Sequence, residues 1–163
     1  MICISQNFFC QNSLWEGDRI QQYFKNSELQ RQWASAFFAK IAFKPSNRVL
    51  DFGCGDGKIT AQFSNQVPQG HVTGIDLSCD MIKFAKRKFN QVAYTNLTFV
   101  STDILSWQLE QHFDVIFSSC ALQLVDDPLA IFVKFNEILK PQGKLFFCIP
   151  GKGNFNFIKL FKT

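Results

Sequence analysis

Short apolar runs alternate with amphipathic segments along most of this 163-residue chain. Five of the runs predict β-strands, over Arg48–Phe52, His71–Asp76, Leu97–Ser101, Phe113–Ser119 and Lys144–Ile149. The last two contain VIFSS and KLFFCI, whose near-continuous apolar character is typical of strands buried on both faces. Parallel strands that alternate with helices are joined by right-handed crossovers. The alternation therefore predicts an α/β fold with a doubly wound, mostly parallel sheet.

Helices are predicted in the intervals between these strands. They are expected over Ile59–Gln66, over Cys79–Asn90, and from Asp126 or Asp127 to Lys140. Ser78 is the expected N-cap of the second helix, because its hydroxyl can accept a hydrogen bond from the first turn. Pro128 suits the first turn of the third helix.

The N-terminal region differs from the rest of the chain. Residues 1–17 show no periodicity, whereas residues 27–43 repeat apolar side chains four apart and predict a helix that Pro45 ends. We therefore divide the chain into an N-terminal helical cap, residues 1–44, and a core, residues 45–163.

The composition is that of a globular protein, with 47% hydrophobic and 18% charged residues. No run approaches the ~18 to 20 uncharged apolar residues of a membrane span, and no secretion signal is evident, so a cytoplasmic location is expected. Six cysteines are scattered without a CxxC pair or a histidine cluster, which favours reduced thiols over a metal site. The net charge of +4 is spread along the chain, which argues against a nucleic-acid partner.

The stretch VLDFGCGDGKIT places glycines at alternate positions directly after the first strand. Ligands of open α/β sheets bind at the carboxyl ends of the strands, where Gly53 and Gly55 would let the backbone approach them closely. A dinucleotide-binding turn requires a third glycine at the position that Lys58 occupies. Two acids, Asp51 and Asp56, would also repel a diphosphate. They suit a cationic ligand such as S-adenosylmethionine, which carries an ammonium and a sulfonium group.

The same stretch resembles the glycine-rich first motif of class I S-adenosylmethionine-dependent methyltransferases. The segments VTGIDLS, FVSTDIL, FDVIFSSCALQLVDDP and LKPQGKLFF resemble the later motifs of that family and follow in the family's order. The resemblance covers roughly residues 20–155 and is strongest to the branch that contains trans-aconitate and juvenile-hormone-acid methyltransferases. It implies a Rossmann-like sheet in the order 3-2-1-4-5, S-adenosylmethionine as cofactor, and methyl transfer to a small-molecule acceptor, with a carboxylate as the best candidate.

The resemblance also implies roles for individual residues. Asp76 stands where the family's ribose-binding carboxylate stands, Asp103 where its adenine-binding acid stands, and Ile104 is expected to pack at the adenine ring. Asp51 and the carbonyls near Gly53 are expected to hold the methionyl end. The predicted cofactor-binding set is Asp51, Gly53, Cys54, Gly55, Asp76, Leu77, Met81, Thr102, Asp103, Ile104 and Ser118.

Two residues are predicted to contact the acceptor, Tyr23 in the N-terminal cap and Gln123 after the fourth strand. The alternative for Gln123 is a plain polar loop residue, and the alternative for Asp76 is a helix-capping acid. Methyl transfer is a direct displacement at an activated carbon, so positioning can suffice and no catalytic base is assigned.

The family's sheet ends with two further strands that form an antiparallel hairpin, and this chain is expected to lack them. KLFFCI would then be an exposed apolar edge. The chain is a fragment, or a homodimer covers the edge, or a helix that begins at Phe155 does so. Two alternative functions stay open: a catalytically silent cofactor-binding or interaction module, and a nicotinamide-dependent oxidoreductase.

Overall fold

A computed structural model describes residues 18–26, 41–108, 111–150 and 155–162. The first 17 residues and most of the helix predicted over 27–43 lie outside the described residues. The division into a cap and a core therefore stays a prediction. The described parts of the cap region are residues 41–44 and helix α1 (Asp18–Asn26), which the sequence pattern did not indicate.

The described residues form one six-stranded sheet and its helices. The strands are β1 (Arg48–Phe52), β2 (His71–Asp76), β3 (Leu97–Ser101), β4 (Phe113–Ser119), β5 (Leu139–Pro150) and β6 (Phe155–Phe161). After α1, the helices are α2 (Lys58–Gln66), α3 (Cys79–Lys88) and α4 (Pro128–Ile138), with a 3-10 turn at Leu122–Leu124 before α4. The helix caps agree with expectation, since Ser78 accepts a hydrogen bond from the Met81 N–H and Asp127 accepts one from the Ala130 N–H.

The strands lie in the order β3-β2-β1-β4-β5-β6. The first five are parallel, so the predicted Rossmann-like order 3-2-1-4-5 is confirmed. β1 lies in the middle of the sheet, and Val49 and Leu50 are completely buried there. The continuous apolar character of the central strands reflects this burial on both faces.

The expectation that the chain lacks both terminal strands is wrong. β6 runs antiparallel to β5 and pairs with it from Lys144 opposite Phe161 to Pro150 opposite Phe155, so no helix begins at Phe155. The Lys162 ammonium donates hydrogen bonds to the carbonyls of Asn136 and Leu139, which holds the end of β6 against α4. β6 therefore covers the apolar edge of β5, and the edge that motivated a homodimer is paired within the chain.

Phenylalanine rings fill both sides of the sheet. On the face covered by α2 and α3, Phe63 meets Phe117 edge to face, with ring centroids 4.9 Å apart. On the face covered by α4, Phe52 meets Phe135 in the same way at 5.3 Å. Such pairs add about 0.5 to 1.5 kcal/mol each to the burial of the rings. None of the described helices has the length and apolar character needed to cross a bilayer.

The described cysteines agree only in part with the expectation of reduced thiols. Cys54, Cys120 and Cys148 are free. Cys79, the first residue of α3, is disulfide-bonded, so the expectation is wrong for that residue.

Candidate functional site

The glycine turn leaves β1 at the carboxyl edge of the sheet. Phe52, the last residue of β1, lies opposite Ile75 on one side and Ser118 on the other. The N–H groups of Gly53 and Cys54 both donate to the Ile75 carbonyl at 2.9 Å. These bonds hold the turn over the end of β2.

The three glycines of the turn all have positive φ, but they serve different purposes. A Cβ on Gly53 would lie 2.2 Å from the Cβ of Ala121, and one on Gly57 would lie 2.6 Å from the ring of Phe99. These two glycines allow close packing within the protein. A Cβ on Gly55 would meet nothing within 4 Å. Of the three, Gly55 is therefore the one whose bare backbone faces open space at the carboxyl edge.

Asp76 joins the glycine turn to the start of α3. One carboxylate oxygen accepts the Gly55 N–H at 2.9 Å and the other accepts the Ser78 N–H at 2.8 Å. Burial raises the pKa of Asp76, and the hydrogen bonds from Ser78 and Gly55 oppose that rise. Each carboxylate oxygen keeps a further lone pair, so the group can still accept hydrogen bonds from a ligand. Ser78 caps α3, so Asp76 is not the helix cap.

Asp51 is 2% exposed and lies just before the turn. Its carboxylate accepts a hydrogen bond from the Thr60 hydroxyl at 2.7 Å. Burial raises the pKa of Asp51 to about 7, and the charges of Asp76 and Asp56 add to the rise against the Thr60 hydrogen bond. A cation at this place would favour the ionised carboxylate. Thr60 was absent from the predicted site, because its contact with Asp51 depends on how α2 packs against β1.

Asp56 lies just before α2, near the place where a dinucleotide would put its pyrophosphate. Its carboxylate accepts the Lys58 N–H at 3.0 Å, and Asp56 is buried. A buried carboxylate at a helix N-terminus repels a phosphate group. The Lys58 ammonium lies 4.2 Å from the ring centroid of Phe24, so it is engaged with α1. This arrangement argues against a nicotinamide cofactor.

The segment after β3 reaches the same edge. The Thr102 N–H donates to the Asp76 carbonyl at 3.1 Å, and Asp103 follows with its carboxylate accepting the Leu105 N–H at 3.0 Å. Ile104 is buried within the core. Beside Asp76, Leu77 is 55% exposed.

Three other predicted residues are buried at the edge. Ser118 is buried at the carboxyl end of β4, and its hydroxyl has no hydrogen-bond partner among the described residues. An unpartnered buried hydroxyl is costly unless a ligand or water completes it. Met81 is buried in α3. The Cys54 thiol is also buried, which raises its pKa and leaves it unreactive.

The two predicted acceptor residues lie on separate elements. Gln123 is exposed in the 3-10 turn after β4. Tyr23 is half-buried on α1, beside Phe24, whose ring packs 5.3 Å from the ring of Phe84. The carboxyl edge thus brings together Asp51, Gly55, Asp76 and Ser118, but no described contact joins Tyr23 to Gln123. No cluster of three or more potential metal ligands occurs within the described residues.

The proteins whose sequences are similar to this chain are methyltransferases. A family model described as a methyltransferase domain matches residues 43–156. "Putative methyltransferase 235L" of Invertebrate iridescent virus 6 is 30% identical over 145 residues, which cover 89% of this chain and 52% of that protein. Trans-aconitate 2-methyltransferase of Escherichia coli is 36% identical over 112 residues, which cover 69% of this chain and 42% of that protein.

The fold is also similar to solved structures. A SAM-dependent methyltransferase from Aquifex aeolicus superposes with a TM-score of 0.73 at 22% identity, over 83% of this chain and 73% of that one.

The chain spans about half the length of the curated relatives it matches, which are 52% and 42% covered.

Proposed function

This chain belongs to the class I S-adenosylmethionine-dependent methyltransferases, and we propose from that premise that it binds S-adenosylmethionine at the carboxyl edge of β1 and β2. We propose further that it transfers the methyl group to a small-molecule acceptor. The observation that carries the proposal is the pair of hydrogen bonds by which Asp76 joins Gly55 and Ser78. They fix a carboxylate beside a bare stretch of backbone that faces open space.

In this proposal the adenosine part of the donor lies along β2 and β3. Asp76 accepts hydrogen bonds from the vicinal ribose hydroxyls, for which its oxygens keep free lone pairs. The segment of Thr102, Asp103 and Ile104 receives the adenine, with the Asp103 carboxylate at its amino group. Leu77 and Met81 supply apolar surface on the other side. The exposure of Leu77 supports its part in this arrangement.

The methionyl part lies over the glycine turn. Gly55 leaves room for it, the backbone of Gly53 and Cys54 borders it, and Asp51 attracts its ammonium group. The raised pKa of Asp51 supports this role, because a cation would stabilise an ionised carboxylate that burial destabilises. The unpartnered Ser118 hydroxyl is a further candidate contact.

The donor supplies a methyl group on a sulfonium, which is already activated for displacement. What the chain contributes is to hold the donor and acceptor in line and to exclude water. Positioning of this kind can lower a barrier by about 7 to 11 kcal/mol. No residue is assigned as a general base.

For the acceptor we propose a small carboxylate, with Gln123 and Tyr23 as contacts. The similarity to trans-aconitate 2-methyltransferase supports this class, and Gln123 is exposed at the end of the strand next to the glycine turn.

Isothermal titration with S-adenosylhomocysteine tests the donor site. We expect Asp76→Ala to raise the dissociation constant at least ~100-fold, since two charge-assisted hydrogen bonds and the ribose contacts are lost. Asp80→Ala is the matched control, because Asp80 lies four residues later on α3 and pairs with Lys83 at the surface. Absence of binding by the wild type, or equal losses in both variants, would contradict the site.

A methyl-transfer assay with labelled donor and a panel of small carboxylates tests the reaction. Labelled product that requires an intact Asp76 is the expected result. Donor binding with no labelling of any acceptor in the panel would favour the catalytically silent module instead.

A further inference from the structure

Two free thiols meet beside the glycine turn and have no part in the proposed function. Cys120 directly follows β4 and Cys148 lies in β5. The Cys120 N–H donates to the Cys148 carbonyl at 2.9 Å, and Cys148 pairs with Ser119, the neighbour of Cys120, across β4 and β5. With standard bond lengths, the backbone hydrogen bond keeps the two Cα atoms within about 7 Å, which is the separation that a disulfide spans.

The two thiols differ in exposure and in pKa, as the two members of a reactive cysteine pair do. Cys120 is half-buried and can be reached from solvent, whereas Cys148 is 2% exposed. The Cys148 thiol and the Ser119 hydroxyl donate hydrogen bonds to the Cys120 sulfur, which lower the pKa of Cys120. The same hydrogen bond raises the pKa of Cys148. A reachable thiolate next to a protonated resolving thiol is the arrangement of oxidant-reactive cysteine pairs.

The backbone at Cys120 is held in a costly conformation. Its φ of 55° lies in the left-handed region, which costs a residue with a side chain about 1 to 2 kcal/mol. Such conformations persist where neighbouring structure enforces them, and they cluster at functional sites. The Cys120 N–H donates to the Cys148 carbonyl in this conformation, so the strained residue is also the one bonded to the second cysteine.

We propose that Cys120 and Cys148 form a modification site for hydroperoxides, and that the resulting disulfide weakens ligand binding at the adjacent glycine turn. The Cys120 thiolate attacks one peroxide oxygen, so a sulfur–oxygen bond forms, the oxygen–oxygen bond breaks, and the leaving oxygen takes up a proton. The Cys148 sulfur then attacks the Cys120 sulfenic acid, forming the disulfide and releasing water. The two thiols lose two electrons, which reduce hydrogen peroxide to two waters.

The coupling to the glycine turn follows from a close contact. Ala121, the neighbour of Cys120, lies so near Gly53 that a Cβ there would come within 2.2 Å of the Ala121 Cβ. Disulfide formation draws the Cys120 sulfur to about 2.05 Å from the Cys148 sulfur, and interiors packed this tightly transmit such shifts. This coupling rests on the proposed donor site, whereas the modification itself does not.

The experiment treats the whole protein with one equivalent of hydrogen peroxide, alkylates the remaining thiols, and maps tryptic peptides by mass spectrometry. Cys120 lies in peptide 89–134, Cys148 in 145–152 and Cys54 in 49–58, so each thiol is read separately. Cys54 is the matched control, because it is a free thiol at the same edge, but burial and then the nearby acids raise its pKa.

We expect a reductant-reversible cross-link between peptides 89–134 and 145–152, with Cys54 still alkylated. In Cys148→Ser, Cys120 should gain oxygen instead, and in Cys120→Ser, Cys148 should stay unmodified. A wild-type Cys120 that stays reduced, or that oxidises no faster than Cys54, would overturn the proposal.

The effect of the disulfide on ligand binding is measured by titrating S-adenosylhomocysteine into the reduced and the cross-linked protein. We expect at least ~5-fold weaker binding after cross-linking and recovery with reductant. Equal affinity in both forms would overturn the coupling. Failure of the reduced protein to bind would overturn the proposed donor site and leave the cross-link result standing.

Discussion

The two halves of the carboxyl edge are built differently. Around β1 and β2, acidic side chains are held by hydrogen bonds, as half-buried Asp76 is by the Gly55 and Ser78 N–H groups. Beyond β4, the 3-10 turn and α4 expose large apolar side chains, with Leu124 79% and Leu129 73% exposed. The first half, the proposed donor half, is set by hydrogen bonds within the described chain. The second, the proposed acceptor half, shows no comparable network among the described residues.

The largest effect is expected in the donor half. There the ionisation of Asp51 should make the free energy of unfolding depend on pH. The unfolded carboxyl ionises near pH 4, whereas burial raises the folded pKa to about 7. Between these values the folded state holds the extra proton, so wild-type stability falls as pH rises. Asp51→Asn should lack this fall and gain up to about 4 kcal/mol relative to wild type by pH 8.

Urea unfolding at pH 5, 6, 7 and 8 measures this difference. Asp80→Asn, at the surface of α3, serves as the control. Parallel stability curves for wild type and Asp51→Asn would show that Asp51 is not destabilised by burial.

The next effect concerns the packing of Gly53. Gly53→Ala combines a positive φ of 72° with a Cβ 2.2 Å from Ala121, so we expect it to lower the free energy of unfolding by about 3 kcal/mol. The double variant Gly53→Ala with Ala121→Gly should recover the steric part of that loss, about 1 to 2 kcal/mol. Strictly additive losses in the double variant would contradict the contact.

Gly55→Ala should separate binding from folding. Its added methyl meets nothing within 4 Å, so the cost to stability is the left-handed backbone alone, about 1 to 2 kcal/mol. If the donor lies over Gly55, the methyl group should weaken S-adenosylhomocysteine binding about 10-fold. Unchanged affinity would place the ligand elsewhere.

The smallest effect is expected in the acceptor half. Leu124→Ser removes a side chain that is 79% exposed, so stability should change by less than about 0.5 kcal/mol and donor binding not at all. Thermal unfolding and calorimetry measure both quantities. A decrease of more than about 1 kcal/mol in the free energy of unfolding would show that the Leu124 side chain is packed against the protein.

Sequence reasoning succeeded where local pattern decides the structure. The first four strands match their predicted bounds, because each is an apolar run bounded by polar or turn residues. It failed at β6, where apolar residues three apart indicate a helix but pairing with β5 makes a strand. That pairing is non-local, and tertiary context overrides such spacing.

The sequence also predicted one part of the candidate site and not another. Asp51, Gly55 and Asp76 were identified from one strand, one turn and one further strand end. Two of the contacts around them were missed, because Thr60 donates to Asp51 and Ala121 lies against Gly53 only through the packing of other elements. Sequence motifs identify the polar groups but do not give the contacts that hold them.

The most direct test of a donor site at the carboxyl edge is an NMR titration of the ¹⁵N-labelled protein with S-adenosylhomocysteine. We expect amide shifts at Gly55, Ser78 and Thr102, with Leu129 unchanged. A cavity of about 700 Å³ opens at the opposite edge of the sheet, where Thr98 is among its lining residues. Shifts confined to the residues of that cavity, with the Gly55 and Ser78 amide signals unchanged, would contradict a donor site at the carboxyl edge.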